Sequence, residues 1–430
     1  MPEPLNIGLA GLGNVGAGVV KLLARNADLI ARRAGRPITI TAVSARDRNR
    51  DRGADLSSYT WVDDAAELSQ RDDVDVVVEL VGGSDGPALT LARHTLQAGK
   101  SFVTANKAML AHHGLDLAQL AETKGAALKY EAAVAGGIPV IKALSEGMAA
   151  NSINRVYGLL NGTCNYILTR METERLDFAV VLAEAQAAGY AESDPSFDID
   201  GIDTAHKLSI LAALAFGARI DFAAVAVQGI RAVELADIDQ AAALGFRIKL
   251  VGLAEHDGAT LFQRVHPALV PHGHPLAAAS GALNAVAAEG DFVGRLFFQG
   301  RGAGEGPTAS AVVADLIDIA RGIQGPAFGM PVASLTALPP ADAATRRGRY
   351  YLRLTVADRP GVLAELTAAL RDHGVSIESL LQRGHSSAGD ALVVMVTHTA
   401  TEAQVLASLA QMERSDAVTD APVMMHILDF

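Results

Sequence analysis

The chain has 430 residues, of which half are hydrophobic and a fifth are charged, and its formal net charge is −12. At about 150 residues per domain, we expect about three domains, each with its own core. The acidic balance argues against nucleic acid as a partner, because that affinity comes from neutralising phosphates with Lys and Arg. The single cysteine, Cys164, excludes an intramolecular disulfide and a cysteine-based zinc cage. We see no signal peptide and no apolar run near the ~20 residues that span a bilayer, so we expect a cytoplasmic protein without a membrane partner.

The N-terminal third alternates short apolar segments with helical patterns. Residues 74–81, VDVVVELV, form a continuous apolar run of the kind buried on both faces of a parallel sheet. Strands and helices alternating at this spacing are typical of a doubly wound α/β domain. We therefore predict a Rossmann-type dinucleotide-binding domain over residues 1–133, with strands at Asn6–Ala10, Ile38–Val43, Val74–Val81 and Ser101–Thr104 and helices at Val15–Ala31 and Pro87–Gly99.

A glycine-rich turn directly follows the first predicted strand. Residues 11–16 match G-x-G-x-x-G and open the first predicted helix. The first glycine permits the tight bend, the second lets the backbone approach a pyrophosphate, and the third lets helix and strand pack closely. This strand–turn–helix context favours a cofactor site over a glycine-rich turn without a ligand. The predicted cofactor contacts are Gly11, Leu12, Gly13, Asn14, Val15 and Gly16.

The end of the second predicted strand bears on the choice between NAD and NADP. An NAD site usually carries an acid there, which binds the ribose 2′-hydroxyl. Residues 42–46 read AVSAR, and no acid lies between Asp28 and Asp47. Arg46 would suit a 2′-phosphate, so we expect NADP to be slightly preferred over NAD. The alternative is that Arg46 belongs to a solvated run of charges.

Two further domains are predicted after residue 133. Residues 134–303 mix longer helices with strands and predict an α+β catalytic and dimerisation domain, so we expect a homodimer or homotetramer. Residues 331–348, rich in Pro and Ala, are interpreted as a linker, and residues 349–430 show the βαββαβ order of a ferredoxin-like domain. The middle segments are Ile153–Leu160, Thr173–Ala188, Asp203–Ala215 and Ile248–Ala254; the last domain has strands Tyr350–Val356, Ser376–Gln382, Ala391–Thr397 and Val423–Leu428 and helices Gly361–His373 and Glu402–Gln411.

A loop dense in carboxylates precedes one helix of the middle domain. In a helical projection Asp203 and Lys207 share the apolar stripe. Burial of charge is costly unless the groups are paired or face a polar cleft, and a desolvated lysine can act as a general acid near neutrality. A purely structural ion pair is the alternative. The loop fits no calcium-binding pattern, and we expect its acids to hold a substrate ammonium instead; they include Glu192, Asp194 and Asp198.

A second lysine, Lys107, follows the predicted strand Ser101–Thr104 within the sequence VTANKA. Ligands of open α/β sheets bind outside the carboxyl ends of the strands, so Lys107 could reach both cofactor and substrate. A solvated loop lysine is an equally weighted alternative.

Taken together, these segments closely resemble the homoserine dehydrogenase family, in the form with a C-terminal ACT domain. The motifs that carry the resemblance are GLGNVG at 11–16, VTANKAML at 103–110, YEAAVAGGIPVI at 130–141, NGTCNYIL at 161–168, GYAESDPSFDIDGIDTAHKLSILA at 189–212 and GRGAGEGPTASAVVADL at 300–316. DRPGVLAEL at 358–366 resembles the opening of an ACT domain. No aspartokinase-like region precedes the first strand, so a monofunctional enzyme is expected.

The resemblance implies a reversible NAD(P)-linked conversion of L-aspartate 4-semialdehyde to L-homoserine, on the path to threonine, isoleucine and methionine. Lys207 matches the family's proton donor, and Lys107 matches its other cofactor- and substrate-contacting lysine. Glu192 matches the residue that holds the substrate amino group, while Asp198 and Asp203 match acids that bind substrate or orient Lys207.

Other positions carry further expectations from the same resemblance. Gly189 and Gly304 match cofactor contacts, and residues 304–330 are expected to return to the nucleotide domain. A site for a monovalent cation, Na⁺ or K⁺, is implied at Glu131, Val134, Gly136 and Ile138. ACT domains bind small ligands, often amino acids, so we expect L-threonine to act as a feedback inhibitor near residues 358–361.

Two other functions remain as alternatives at this stage. One is a dehydrogenase of another small hydroxy or amino acid, which kinetics with homoserine, malate and glutamate would separate. The other is a non-catalytic redox sensor that couples a dinucleotide domain to an amino-acid-binding domain. The sensor would need neither the Asp203–Lys207 pair nor Glu192, so we disfavour it.

Overall fold

The computed structural model of the chain describes residues 2–385 and 390–429. Its first sheet is wholly parallel, with strand order β3-β2-β1-β4-β5-β6. This is the doubly wound order in which ligands bind where the strand order reverses, beside β1. The strands are β1 (Leu5–Ala10), β2 (Ile38–Ser44), β3 (Thr60–Trp61), β4 (Val76–Glu79), β5 (Ser101–Thr104) and β6 (Leu128–Lys129).

Helices cover this sheet. One helix and one strand of this unit differ in their bounds from the prediction. The helix predicted over Val15–Ala31 is two helices, because the chain bends at Asn26, a residue type that favours helix ends. The strand predicted over Val74–Val81 is shorter, Val76–Glu79. It ends there because the carboxylate of Glu79 accepts hydrogen bonds from the backbone N–H groups of Val81 and Gly82. The helices are α1 (Asn14–Arg25), α2 (Ala27–Ala34), α3 (Pro87–Gln97) and α4 (Lys107–Lys124).

A later helix, α12 (Glu305–Ala320), returns to the first sheet. It packs on α1, where Val312 and Val19 share one apolar core. At its start, Glu305 forms an ion pair with Lys21 of α1 at 2.8 Å. The N-terminal end of α12 therefore lies beside the helix that follows the glycine-rich turn, although Glu305 and Lys21 are 284 residues apart in the sequence.

The second sheet contains the remaining long strands, in the order β12-β11-β7-β9-β10-β17-β13-β15-β14. In the middle of the chain the helix predicted over Thr173–Ala188 is interrupted, because Arg175 adopts a left-handed conformation (φ 60°) that ends the first helix. The middle strands are β7 (Ile153–Leu159), β8 (Ala226–Val227), β9 (Phe246–His256), β10 (Leu261–Pro271), β11 (Leu283–Gly290) and β12 (Gly294–Arg301). The middle helices are α5 (Val140–Lys142), α6 (Gly162–Glu174), α7 (Phe178–Ala187), α8 (Ser196–Ile199), α9 (Ile202–Phe216), α10 (Leu235–Ala243) and α11 (Pro275–Ala278).

The C-terminal unit has the predicted βαββαβ order, and its strands lie in the ferredoxin-like order β17-β13-β15-β14. The strand β17 also pairs with β10 in parallel, so the last two units share one continuous sheet. The elements are β13 (Arg347–Ala357), α13 (Val362–Asp372), β14 (Ile377–His385), β15 (Asp390–Thr397), β16 (Ala400–Thr401), α14 (Glu402–Met412) and β17 (Val423–Ile427).

The segment predicted as a linker, 331–348, packs along the middle sheet. Val332 and Leu335 are buried, and Pro340 bridges to Leu261 at the start of β10. The last two residues of the predicted linker belong to β13, which starts at Arg347. Before β13 the segment contains only two short 3-10 helices, Val332–Ser334 and Ala343–Thr345, and it is held against the middle sheet by the buried contacts above.

Among the described helices, none combines the length and the apolar character needed to cross a membrane.

Candidate active site

A cleft of about 850 Å³ lies between the carboxyl edge of the first sheet and the helices of the middle unit. The glycine-rich turn and α4 contribute one wall, and α6, α9 and the loop before β11 contribute the other. Val15, Lys107, Asp198, Asp203, Lys207, Gly189 and Gly304, all predicted from the sequence, line it together. The fold therefore gathers residues from four separate motifs at one place.

Lys207 lies on α9 with its ammonium group at the floor of this cleft. Its side chain is 11% exposed, and Nζ donates to the carbonyl oxygen of Leu160 and to Oδ2 of Asp203, both at 2.7 Å. A lysine ammonium has three N–H donors. The third donor is therefore available to a substrate oxygen in the cleft.

Asp203 is buried between two lysines. Its Oδ1 lies 3.2 Å from Nζ of Lys107, and its Oδ2 receives the hydrogen bond from Lys207. Burial alone would raise the pKa of this carboxyl group, but the positive charges of Lys207 and Lys107 outweigh it and hold the pKa well below its usual range. Asp203 is thus a fixed negative charge that orients both amines.

Asn161 connects Asp203 with the acidic loop. Its Nδ2 donates to Oδ1 of Asp198 at 2.7 Å and to Oδ2 of Asp203 at 2.9 Å, while its Oδ1 caps α6 through the backbone N–H of Cys164. Burial and the nearby charge of Asp203 raise the pKa of Asp198. A cationic group of a ligand would relieve this unfavourable charge, so Asp198 suits a substrate ammonium.

The position of Lys107 depends on a buried carboxylate in the first sheet. Glu79, at the end of β4, accepts from the backbone N–H groups of Val81 and Gly82 and from the hydroxyl of Thr104 at 2.6 Å. Thr104 then accepts from the N–H of Asn106, whose side chain caps α4. Lys107 is the first residue of α4 and is one-third exposed, so these contacts aim a half-buried amine into the cleft.

The glycine-rich turn has the shape that a dinucleotide phosphate requires. Gly11 has φ 95°, and a Cβ atom there would lie 2.5 Å from the carbonyl oxygen of Leu80. A Cβ atom on Gly16 would lie 2.1 Å from the carbonyl oxygen of Gly11. Around Gly13 the space is open, as it must be where a ligand approaches the backbone at the start of α1. The residues present therefore fit the pyrophosphate of NAD or NADP.

Beyond this turn, arginines surround the end of β2. Arg46 is exposed there, and Arg52 donates from Nε to the carbonyl oxygen of Leu12 at 3.0 Å. The guanidinium groups of Arg48 and Arg52 each lie 5.7 Å from the centre of the Trp61 ring. The loop after β2 thus places Arg52 against the glycine-rich turn and Arg48 beside it.

Two of the predicted substrate residues do not line the cleft in this structure. Glu192 and Asp194 are exposed, and Asp194 accepts from the N–H of Ser196 at 3.1 Å. Tyr190, in the same loop, does line the cleft, and its ring stacks on that of Tyr166 with 4.5 Å between the ring centres. Gly189, which has φ 76°, begins this loop and does reach the cleft. The role of Glu192 remains a prediction.

The residues expected to hold a monovalent cation form a buried turn beside α12. Glu131 is 2% exposed, and its two carboxylate oxygens accept from the N–H groups of Ile141 and Lys142. Burial and the neighbouring Asp315 raise the pKa of Glu131 to about 7. Val134 and Ile138 are also buried, and Gly136 has φ 50°. A carboxylate and backbone carbonyl groups are donors that suit a hard cation.

A buried lysine supports the wall of the cleft from behind. Lys249, on β9, is 2% exposed and donates to Oδ1 of Asn165 at 2.9 Å and to the carbonyl oxygen of Ala279 at 2.7 Å. Asn165 in turn donates to the carbonyl oxygen of Leu283, which lines the cleft. Burial lowers the pKa of Lys249 to about 8.

Three contributors to this site, Asn161, Glu79 and Lys249, were not among the residues predicted from the sequence. Asn161 had a usable signal, since it precedes a helix within NGTCNYIL, where an N-cap is expected. Glu79 lies in an apolar strand run, and an acid there signals a buried role. Lys249 had no comparable local signal, because its partners are more than 29 residues away along the chain.

Comparisons with known proteins agree with this geometry. Residues 139–317 match the family described as homoserine dehydrogenase, residues 11–131 its NAD-binding domain, and residues 350–414 the ACT domain. A homoserine dehydrogenase of Neisseria gonorrhoeae is 44% identical, with 98% of each chain covered. A crystal structure of a homoserine dehydrogenase from Thiobacillus denitrificans is 40% identical, covers 99% of each chain and has a TM-score of 0.94. A hyperthermophilic archaeal homoserine dehydrogenase in complex with NADPH is 25% identical over 74% of this chain and 97% of its own, with a TM-score of 0.63.

Replacement of the buried amine, Lys249→Met, should change how stability depends on pH. The folded-state pKa of about 8 lies below the ordinary value of 10.5, so the unfolded chain binds more protons between these values. The free energy of unfolding of the unsubstituted protein should therefore rise by up to ~3 kcal/mol from pH 8 to 10.5, relative to the variant. Urea denaturation across this range measures the difference. Parallel pH profiles of the two proteins would contradict a lowered pKa of Lys249 in the folded state.

Proposed function

The chain belongs to the homoserine dehydrogenase family and is an NAD(P)-dependent oxidoreductase, and we propose that it interconverts L-aspartate 4-semialdehyde and L-homoserine with Lys207 as the proton donor. One observation carries this assignment of roles. Two of the three N–H donors of Lys207 are held by Leu160 and Asp203, and the third is left for the cleft. The reaction would serve the synthesis of threonine, isoleucine and methionine.

Different residues of the cleft have different roles in the proposed reaction. The dinucleotide, when bound at the glycine-rich turn, supplies or accepts the hydride. Reduction of the aldehyde leaves negative charge on its oxygen, which the ammonium groups of Lys207 and Lys107 stabilise. Lys207 passes one proton from Nζ to that oxygen and recovers a proton from solvent afterwards. In the direction of homoserine oxidation the neutral amine of Lys207 accepts the hydroxyl proton.

Substrate orientation is assigned to the acids on the other side of the cleft. Asp198 lies 2.7 Å from Nδ2 of Asn161 and faces the cleft, where it can receive the substrate ammonium. Glu192, exposed on the loop that begins at Gly189, is assigned to the same ammonium group on the family resemblance alone. Asp203 acts through the lysines and is a positioning residue rather than a proton donor.

Two substitutions should separate these roles. Lys207→Ala should lower kcat by about 10²- to 10⁴-fold, the usual contribution of a general acid, with a smaller change in KM. Glu192→Ala should mainly raise the KM for homoserine. Steady-state kinetics of homoserine oxidation measure both, with the exposed Lys124→Ala at the far end of α4 as the control. Equally small effects of the first two changes would refute the assignment.

We also propose that NADP is the preferred cofactor. Support comes from the exposed Arg46 at the end of β2, the absence of an acid at 42–46 and the NADPH bound by the archaeal relative. Arg contacts to phosphate are strong because charge assists the hydrogen bonds.

Arg46→Ala should accordingly reduce kcat/KM for NADP by about tenfold, which corresponds to one lost charged contact, and leave that for NAD nearly unchanged. The quantity to compare is the ratio of kcat/KM with NADP to kcat/KM with NAD. Arg32→Ala, an exposed arginine on α2, serves as the control. If this ratio is the same in Arg46→Ala and in the unsubstituted protein, Arg46 does not contact the 2′-phosphate.

A monovalent cation, Na⁺ or K⁺, is proposed at the turn that holds Glu131. Each carboxylate oxygen of Glu131 uses one acceptor site for a backbone N–H group, and each has a second site for a cation. The carbonyl groups of Val134, Gly136 and Ile138 would complete the coordination. The positive charge would offset the repulsion between Glu131 and Asp315, whose Oδ2 accepts from the N–H of Glu131 at 2.8 Å.

NaCl or KCl should then raise the thermal midpoint of the protein more than choline chloride at the same ionic strength, because only the small cations fit a buried turn. In Glu131→Gln the difference between the salts should vanish. Scanning calorimetry with the three chlorides measures it. An equal response of the unsubstituted protein to all three salts would rule out the site.

The ACT domain suggests regulation by a small molecule. We propose L-threonine as the inhibitor, on the ground that it is an end product of the path that homoserine feeds. The turn at residues 358–361 is exposed, and Gly361, with φ 98°, caps the start of α13. The homodimer or homotetramer expected from the sequence stays a prediction.

A further inference from the structure

One buried amide group in the lining of the cleft lacks a hydrogen-bond partner. It belongs to Asn284, near the start of β11, which is 1% exposed. Its amide nitrogen, Nδ2, is buried and has no partner among the described residues. Of the described residues that line the cleft, Asn284 is the only one with a buried side-chain nitrogen or oxygen in this state. Burial of an N–H donor without an acceptor is costly, so this position points to a ligand that brings the acceptor.

The contact with Gly302 determines which way this amide group faces. A Cβ atom on Gly302 would lie 2.1 Å from Cγ, 2.2 Å from Oδ1 and 2.4 Å from Nδ2 of Asn284. A point at nearly equal distance from these three atoms lies over the flat face of the amide group. The face therefore packs on Gly302, and the edge that carries the N–H bonds is directed past Gly302 rather than at it. Only glycine at position 302 leaves room for this arrangement.

The backbone around Asn284 is fixed by its neighbours. β11 pairs with β7 on one side and with β12 on the other, where Asn284 lies opposite Gly300. The preceding residue, Leu283, accepts a hydrogen bond from Asn165, which in turn accepts one from the buried Lys249. An amide group held in this way can meet a ligand without a large loss of conformational entropy on binding.

The loop on which Asn284 packs leads to the dinucleotide side of the cleft. Residues 302–304 line the cleft and run into α12, which packs on α1 and adds Thr308 to the lining. A dinucleotide with its phosphates at the glycine-rich turn must bring its nicotinamide ring to the substrate at Lys107 and Lys207. The ring carries one carboxamide group, which offers an acceptor oxygen and N–H donors, as an Asn side chain does. This carboxamide is therefore an acceptor that the cofactor itself brings into the cleft.

We propose that Asn284 orients the nicotinamide ring, with Nδ2 donating a hydrogen bond to the carboxamide oxygen of the ring. The α-carboxylate of the substrate is the other acceptor that a ligand of this cleft would bring. It has no N–H donor and would face Oδ1 of the same amide group, so the carboxamide is the better complement. The hydrogen bond limits rotation of the ring and thereby selects the face that it presents to the substrate. This role concerns the NAD(P) dependence of the enzyme and does not rest on the role proposed for Lys207.

Isothermal titration calorimetry of the full chain with three ligands tests this contact. The ligands are NADP, its thionicotinamide analogue, in which sulfur replaces the carboxamide oxygen, and ADP-ribose 2′-phosphate, which lacks the nicotinamide ring. Asn284→Ala should weaken NADP binding by about tenfold, as expected for loss of one buried hydrogen bond, and leave the affinity for ADP-ribose 2′-phosphate unchanged. The unsubstituted protein should bind the thionicotinamide analogue more weakly than NADP, because sulfur is a weak acceptor, and Asn284→Ala should bind both alike. Gln299→Ala is the matched control, because this exposed amide on β12 does not line the cleft.

Three results would overturn the proposal. An unchanged affinity of Asn284→Ala for NADP, with a raised KM for homoserine, would assign the amide to the carboxylate of the substrate instead. An equal loss of affinity for all three ligands would mean that Asn284 only maintains the shape of the cleft. Equal binding of NADP and its thionicotinamide analogue by the unsubstituted protein would exclude the hydrogen bond without any substitution, so the test holds even where Asn284→Ala does not fold. None of these results bears on the kinetics of Lys207→Ala, which test the proton donor separately.

Discussion

The candidate active site depends on one buried carboxylate. Asp203 is surrounded by the amines of Lys207 and Lys107 and by the amide of Asn161, which come from three different segments of the chain. Because a buried charge without partners is very costly, these four groups stabilise one another only when all are in place. The same requirement keeps the amine of Lys207 in a dry position and directs its remaining donor toward the cleft.

This constraint also sets how the first two units meet. Lys107 begins α4 at the carboxyl edge of the parallel sheet, and its orientation depends on Glu79 and Asn106. Asp203 and Lys207 belong to the middle unit. The ion pair between Lys107 and Asp203 therefore joins the wall that carries the glycine-rich turn to the wall that carries Lys207, the proposed proton donor. In the proposed reaction, a cofactor bound at the first wall and the amine of Lys207 on the second wall must both reach the carbonyl group of the substrate.

The third unit is joined to the second more closely than a flexible linker would allow. The strand β17 extends the middle sheet beside β10, and the bidentate ion pair of Arg264 with Glu402 is buried at this junction. Arg353 of β13 likewise meets Asp237 of α10 at 2.7 Å. A strand shared between two units therefore fixes their relative position, which a flexible tether would not do.

The amino-acid sequence by itself determined the order of the elements, the dinucleotide turn, the ferredoxin-like unit and the pairing of Asp203 with Lys207, because each is a local pattern of spacing along the chain. The predictions from the sequence were wrong at Asn26, at Arg175 and at residues 80–81. All three places are ends of helices or strands, where a single backbone conformation or side-chain hydrogen bond determines where the element stops. Only the tertiary structure decided that Lys107 meets Asp203, that Asn161 links two acids, that Lys249 lies buried behind the cleft and that Glu192 stays exposed. It also decided that β17 continues the middle sheet. These features arise from contacts between distant segments, and the energy of burying a charge depends on partners that no local pattern specifies.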